Sequence, residues 1–179
     1  MSNIAIIYST TDGFTRKVAQ YLQSKLECFA HNVSVIAIAD FKQQEIIDFD
    51  HIILGASIRY GKHGKAVHDF FNNLTDETKE KFLSFFSINV VARKPEKNSP
   101  DTNPYLIKFF NKVDFKPELV AVFAGKINYK LYGLFDRTMI RFIMKITKGP
   151  TDLNTNVELI DWQKVDQLAQ QIHQRIERV

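Results

Sequence analysis

Ile4-Ala5-Ile6-Ile7-Tyr8-Ser9-Thr10-Thr11-Asp12-Gly13-Phe14-Thr15 is the stretch that decides the fold. Ile4 to Tyr8 is an unbroken apolar run, the pattern of a strand buried on both faces of a parallel sheet. It leads into a short loop of hydroxyls around one glycine. A helix then opens, with Val18, Ala19, Leu22 and Leu26 at helical spacing and Arg16, Lys17, Gln20 and Lys25 elsewhere. Strand, hydroxyl loop and helix N-terminus together aim unpaired N–H groups and the positive end of a helix dipole at one point, where an anion binds. No Lys follows the glycine as in a Walker A loop, and there is no G-x-G-x-x-G. Ser and Thr hydroxyls donate to phosphate oxygens without adding charge, which suits a singly esterified phosphate. Asp12 is awkward beside an anion and is read as a helix cap acting through its carboxylate. A capped strand-to-helix turn with no phosphate remains the alternative for this loop alone.

The 179 residues are expected to form a single domain, 1–179, with a substantial core. An apolar fraction of 45% and a charged fraction of 25% are ordinary for a soluble globular chain, and most of the 15 Phe fall within strand and helix patterns, as core residues do. The one cysteine, Cys28, excludes an internal disulfide and a cysteine-built metal site, and is read as a buried structural thiol. His63 and His68 are five apart, which is no metal-ligand spacing, so no metal is expected. No Ser lies on a nucleophile elbow, and no catalytic dyad stands out. The N-terminus enters a strand at once, without a basic leader, and no apolar run approaches bilayer length, so a cytoplasmic protein with no transmembrane helix is expected.

The net charge of +4 is unevenly placed: residues 1–92 carry −1, residues 93–148 carry +7 and residues 149–179 carry −2. A basic late segment on a nearly neutral body calls for an anionic partner on one face. Nucleic acid is not expected, since no nucleic-acid motif accompanies the charge.

Further strands are expected over Asn32–Ile38, His51–Gly55, Phe85–Val91 and Leu119–Gly125, with a short connection or helix at Asp40–Ile47. Ala66, Val67, Phe70, Phe71 and Leu74 mark a helix face, and a last amphipathic helix runs from about Trp162 to Arg178. Pro95 to Pro104 reads as an exposed loop. Alternating strands and helices indicate a doubly wound α/β sheet, five-stranded and parallel. With strand order 2-1-3-4-5, the binding crevice lies between strands one and three at their carboxyl ends. Three loops then converge: Ser9–Thr15; Ser57, Ile58, Arg59, Tyr60 and Gly61; and Ala92, Arg93 and Lys94.

Lys126 to Thr155 is too long for a simple connection and reads as an inserted segment. Within it Arg137, Arg141, Lys145 and Lys148 fall in one quadrant of a helical wheel, with Phe135, Met139, Phe142, Ile143 and Ile146 opposite. Either the apolar face packs on the sheet and the basic stripe is solvated, or the helix lies at an anionic membrane surface or edges a pocket for a greasy ligand.

Three stretches carry a resemblance: Tyr8 to Lys17, Gly55 to Gly61 and Ser87 to Lys97. Phe123-Ala124-Gly125, Tyr132, Asp136-Arg137, Met139-Ile140, Ile143-Met144-Lys145, Gly149-Pro150-Thr151-Asp152 and Asp161-Trp162 extend it. The chain resembles the flavodoxin-like superfamily and, more closely, the menaquinone-dependent protoporphyrinogen IX dehydrogenase family of haem biosynthesis. Thr11 and Phe14 depart from the family's more polar pattern. The resemblance implies FMN as cofactor, its phosphate in the Ser9–Thr15 loop. It implies oxidation of protoporphyrinogen IX, with menaquinone or ubiquinone as acceptor, at the cytoplasmic side of the inner membrane. The chemistry is left to the flavin ring, and no catalytic side chain is assigned. Tyr60 is expected near the ring and Arg59, Arg93 or Lys94 near flavin or propionate charge, with solvated loop residues as the alternative for each. Tyr129, Tyr132, Arg137, Arg141 and Lys145 are expected to meet substrate or membrane. A flavodoxin-like electron carrier, an NAD(P)H:quinone reductase and a flavin-free binding module are the competing readings.

Overall fold

A computed structural model describes residues 1–178. Strands β1 (Asn3–Ser9), β2 (Asn32–Ala37), β3 (His51–Arg59), β5 (Phe82–Asn89) and β6 (Leu119–Ala124) form a parallel sheet in the order β2-β1-β3-β5-β6, and the short β4 (Lys62–His63) pairs antiparallel with β3. This is the expected five-strand order with one hairpin added. Side chains of β1 alternate between two cores. Ile4 and Ile6 join α1 (Phe14–Glu27) and α6 (Trp162–Ile176) on one face, while Ala5 and Ile7 lie on the other with Val67 and Phe71 of α2 (Lys65–Asn72) and Leu106 and Phe109 of α4 (Pro104–Phe110). Burial on both faces is what makes the strands continuous apolar runs. Within the second core Phe71 packs edge to face on Phe85 and Phe109, Phe109 does so on Phe110, Phe85 stacks on Phe109, and Phe82 tilts against Phe71. Gly55, central in β3, lies against the Phe86 ring where any Cβ would collide.

Several expected boundaries move. β3 runs on through Ser57, Ile58 and Arg59, which are strand residues rather than loop, because Ile58 pairs with His63 and Arg59 with Lys62. β5 starts at Phe82 and ends at Asn89, whose side chain accepts from Ala92 N at 3.1 Å and turns the chain into a 3-10 turn over Val90–Arg93. The 95–104 stretch is no simple exposed loop: Asn103 is fully buried and its amide donates to Asn89 Oδ1 at 3.2 Å and to Lys97 O at 2.9 Å. Cys28 is exposed, not buried. It caps α1 two residues beyond the inward-facing Leu26, so it points away from the core.

The inserted segment builds its own small unit beyond β6. β7 (Lys126–Asn128) pairs antiparallel with β8 (Asn156–Glu158), and α5 (Leu134–Ile146) lies between them in sequence. α3 (Asp76–Lys81) precedes β5. Tyr129, Ile127 and Met144 are buried as a satellite core, joined by Tyr132, Ile140 and Ile143.

Candidate functional site

The carboxyl ends of β1, β3, β5 and β6 surround an open cleft. Thr11, Asp12, Phe14 and Thr15 form its floor, Ser57, Ile58 and Arg59 one wall, and Ile88, Asn89 and Val90 another. Gly125, Lys126, Tyr132 and Ile140 close the side toward the insertion. The cleft sits between β1 and β3, the reversal point of the strand order.

The floor is built as its sequence suggests. Gly13 caps α1 with φ +83°, a left-handed conformation that L side chains rarely adopt, and a Cβ there would meet only open space. Its N–H donates to Thr10 Oγ1 at 3.0 Å, and Phe14 N donates to Asp12 Oδ1 at 3.3 Å, so Asp12 does act as a capping carboxylate. Thr15 is fully buried, and its hydroxyl has no partner among the described residues. Such a group ordinarily finds one.

The wall is a tight hairpin. Tyr60 and Gly61 form its two-residue turn, both left-handed at φ 51° and φ 75°. Gly suits such a position and Tyr does not, so Tyr60 stores backbone strain at the cleft rim. Its ring is more than half exposed and lies 6.4 Å from Phe135. Asp136 in the first turn of α5 accepts from both Arg59 and Tyr60, fastening the insertion to the hairpin. Burial pushes the Tyr132 phenol above its ordinary range, so it stays protonated in the cleft.

Of the expected site residues, Thr11, Asp12, Phe14, Thr15, Ser57, Ile58, Arg59 and Tyr132 line the cleft. Ser9, Thr10, Gly13, Tyr60 and Gly61 hold or edge it. Ala92, Arg93 and Lys94 do not line it. Ala92 is buried in the second core, and Arg93 donates to Val90 O at 2.8 Å, Thr147 O at 3.0 Å and Thr147 Oγ1 at 2.8 Å, a clamp between the β5 exit and the end of α5. Tyr129 is also core rather than surface, with its hydroxyl donating to Pro150 O at 2.7 Å. Arg137 donates to Tyr129 O at 3.1 Å and Tyr132 O at 3.3 Å, and Arg141 to Thr151 O at 3.0 Å. These arginines shape the insertion's loops; Lys145 stays exposed. Sequence reading missed Asn89, Val90, Lys126, Ile140 and Asp136. Asn89 and Val90 follow directly from a strand end at 89 instead of 91, whereas Asp136 and Ile140 carry no local signal.

Among the described residues no group of His, Cys, Asp and Glu gathers to hold a metal ion. No described helix is long and apolar enough to cross a membrane.

Residues 5–154 match the family described as "Flavodoxin domain". The chain is 37% identical over 167 residues, covering 93% of this chain and 92% of the other, to "Protoporphyrinogen IX dehydrogenase [quinone]" of Escherichia coli. It is 37% identical over 170 residues, covering 92% of this chain and 71% of the other, to the protein of the same name in Leishmania major. Among solved structures it is similar in fold to the Fusobacterium nucleatum flavodoxin bound to flavin mononucleotide, with a TM-score of 0.52 at 14% identity, covering 99% of this chain and 98% of that one. With this sheet order, this cleft and these relatives, the chain belongs to the flavodoxin-domain proteins and, within them, to the protoporphyrinogen IX dehydrogenase [quinone] family.

Proposed function

We propose that the protein is an FMN-dependent dehydrogenase that oxidises protoporphyrinogen IX to protoporphyrin IX and passes the electrons to a membrane quinone, menaquinone or ubiquinone. The observation that carries this reading is the extent of the likeness. A match over 93% of the chain takes in the insertion that supplies Tyr132 and Ile140 to the cleft, not the flavodoxin frame alone.

The residues present fit FMN. The orphaned Thr15 hydroxyl and the N-terminus of α1 suit its phosphate, and the open space over Gly13 lets backbone approach closely. Bound here, FMN supplies a two-electron acceptor that no side chain of the cleft provides. The protein's own work is to bind, orient and shield. Ser9, Thr10, Asp12 and Gly13 set the loop that receives the phosphate. Tyr60, held by Asp136, offers a ring at the rim, and Ile58, Val90 and Ile140 give the cleft apolar walls. Arg59 is held by Asp136 on that rim, so its charge is already compensated.

The protein sits peripherally on the cytoplasmic face of the inner membrane, through the outer face of α5. Leu134, Phe135, Phe142 and Ile146 are 82%, 68%, 62% and 67% exposed, flanked by Arg141 and Lys145. Apolar residues beside cations suit an anionic lipid surface, where quinone is dissolved.

Steady-state turnover tests the reading. The FMN-loaded protein under anaerobic conditions should generate porphyrin fluorescence from protoporphyrinogen IX only when a quinone is added. Turnover of NADPH with quinone, and none of porphyrinogen, would favour the reductase reading instead.

A further inference from the structure

The hairpin that walls the cleft has a second side. Beyond its tip lies a shallow depression between the turn and α4. Gly61, His63, Tyr105 and Phe109 line it, and Lys62, Lys108, Lys112 and His68 surround it. Tyr105 Cε1 lies 3.7 Å from where a Gly61 Cβ would stand, so the turn and the helix are in direct contact.

The charge here is uncompensated. Neighbouring lysines are paired: Lys65 meets Asp69 at 2.6 Å and Lys116 meets Asp101 at 3.9 Å. Among the described residues, Lys62, Lys108 and Lys112 have no carboxylate within ion-pair distance. Asp69, the acid nearest His68, is already engaged by Lys65. The His68 imidazole is pushed below its ordinary range, first by burial and then by Lys112, with Lys62 adding to it and Asp69 opposing. All three lysines are exposed, and their summed positive field raises the local concentration of anions at this edge of the hairpin.

The surroundings say what kind of anion. Tyr60 precedes Gly61 and stands beside Phe135, with exposed Leu131 and Leu134 following along the insertion. Exposed apolar side chains therefore stand on the insertion side of the hairpin tip and exposed lysines on its α4 side. A tetrapyrrole has the matching shape, an apolar disc with both propionates on one edge.

We propose that the depression between the hairpin tip and α4 binds carboxylates, and that Lys62, Lys108 and Lys112 receive the propionate edge of the tetrapyrrole and so fix its orientation over the cleft. The tetrapyrrole as occupant rests on the function proposed above. The contact is made at the exposed lysine rim, with His68 beside it.

The test is fluorescence titration of the full-length protein with protoporphyrin IX and, separately, with its dimethyl ester, which has the same disc but no charge. The triple variant Lys62→Gln/Lys108→Gln/Lys112→Gln should weaken binding of the diacid about tenfold and leave the ester unchanged. Lys116→Gln, which removes a paired lysine, should change neither. Raising the salt concentration on the unmutated protein should weaken the diacid alone, a readout that does not depend on a variant folding. Equal effects on diacid and ester, no effect on either, or no saturable binding of the diacid to the wild type would each overturn the proposal. In turnover the variant should show a raised KM for porphyrinogen with kcat retained. A wild type that binds the diacid through these lysines but does not oxidise porphyrinogen would refute the proposed function while leaving the carboxylate site standing.

Discussion

Tyr60 holds a left-handed backbone at a turn position that favours Gly or Asn, and its half-exposed ring stands beside Phe135 with its hydroxyl on Asp136. A strained aromatic kept where a polar turn residue would be easier implies a use for the ring. Tyr60→Asn relaxes the backbone while losing the hydroxyl bond to Asp136. Thermal denaturation should therefore show stability unchanged to within about 1 kcal/mol, while flavin titration shows binding weakened about tenfold. Thr15 presents the opposite trade. Its buried hydroxyl lacks a partner, so Thr15→Val removes a cost of about 1–3 kcal/mol in the flavin-free chain. The variant should melt no lower than the wild type without FMN and bind FMN more weakly, as differential melting with and without the cofactor would show. His63 is a third case. It is buried against Phe85 and Phe109, bonds Ser87 Oγ at 2.9 Å, and burial pushes its pKa from 6.5 down to about 3. The unfolded chain takes up a proton below pH 6.5 that the folded chain declines until pH 3. Its contribution to stability is therefore full above pH 6.5 and declines on acidification, by at most about 1.4 kcal/mol per pH unit. In denaturant titrations the stability difference between wild type and His63→Gln should be constant above neutrality and move in the variant's favour as the pH falls from 6.5 toward 3.

At the scale of elements, the helix α5 shows what periodicity alone leaves open. The sequence marks a wide apolar face over Phe135, Met139, Phe142, Ile143 and Ile146 opposite a basic stripe. The structure rotates the helix so that Met144, Ile140 and Ile143 pack inward, and Arg137 and Arg141 are spent on loop carbonyls. Phe135, Phe142 and Ile146 are left outside. The wheel marks an amphipathic helix and leaves open whether its apolar face packs on the protein or meets a surface outside it; the structure divides that face between the two, because the apolar residues exceed what one packing face can hold. Lys148 leaves the stripe altogether, since α5 ends at Ile146 and Lys148 turns left-handed at φ 55° so that Gly149 N can reach Met144 O at 2.7 Å. Phe135→Ser/Phe142→Ser should cost little stability, because both side chains are already in solvent, yet reduce co-sedimentation with anionic vesicles severalfold. Unchanged vesicle binding would remove α5 from the membrane contact. Arg93 carries a similar lesson. Its place after a strand suggests a ligand contact, but the bonds it makes to Thr147 depend on an element more than fifty residues downstream, which no local pattern reveals.

For the molecule as a whole, the frame was legible because the buried strands announce themselves. Ile4–Tyr8, His51–Gly55 and Leu119–Gly125 are apolar runs that only a sheet covered on both faces requires, and Ser9 to Thr15 marks the strand-to-helix turn at the floor of the cleft. Of the far wall of the cleft, Tyr132 was legible only through resemblance and Ile140 not at all, since both reach it by tertiary packing of the insertion. The outcome is a flavodoxin frame with one added unit, β7, α5 and β8, fastened by Asp136 to the hairpin and by Arg93 to the β5 exit. That unit joins the flavin cleft to an apolar outer surface, an arrangement suited to moving electrons from a tetrapyrrole to a lipid-dissolved quinone. The central claim is tested most directly by the anaerobic half-reaction. Purified protein loaded with FMN is mixed with protoporphyrinogen IX, flavin absorbance is followed, and a quinone is then added. The account predicts bleaching by the porphyrinogen and recovery on adding the quinone, with NADPH inert; bleaching by NADPH but not by porphyrinogen would contradict it.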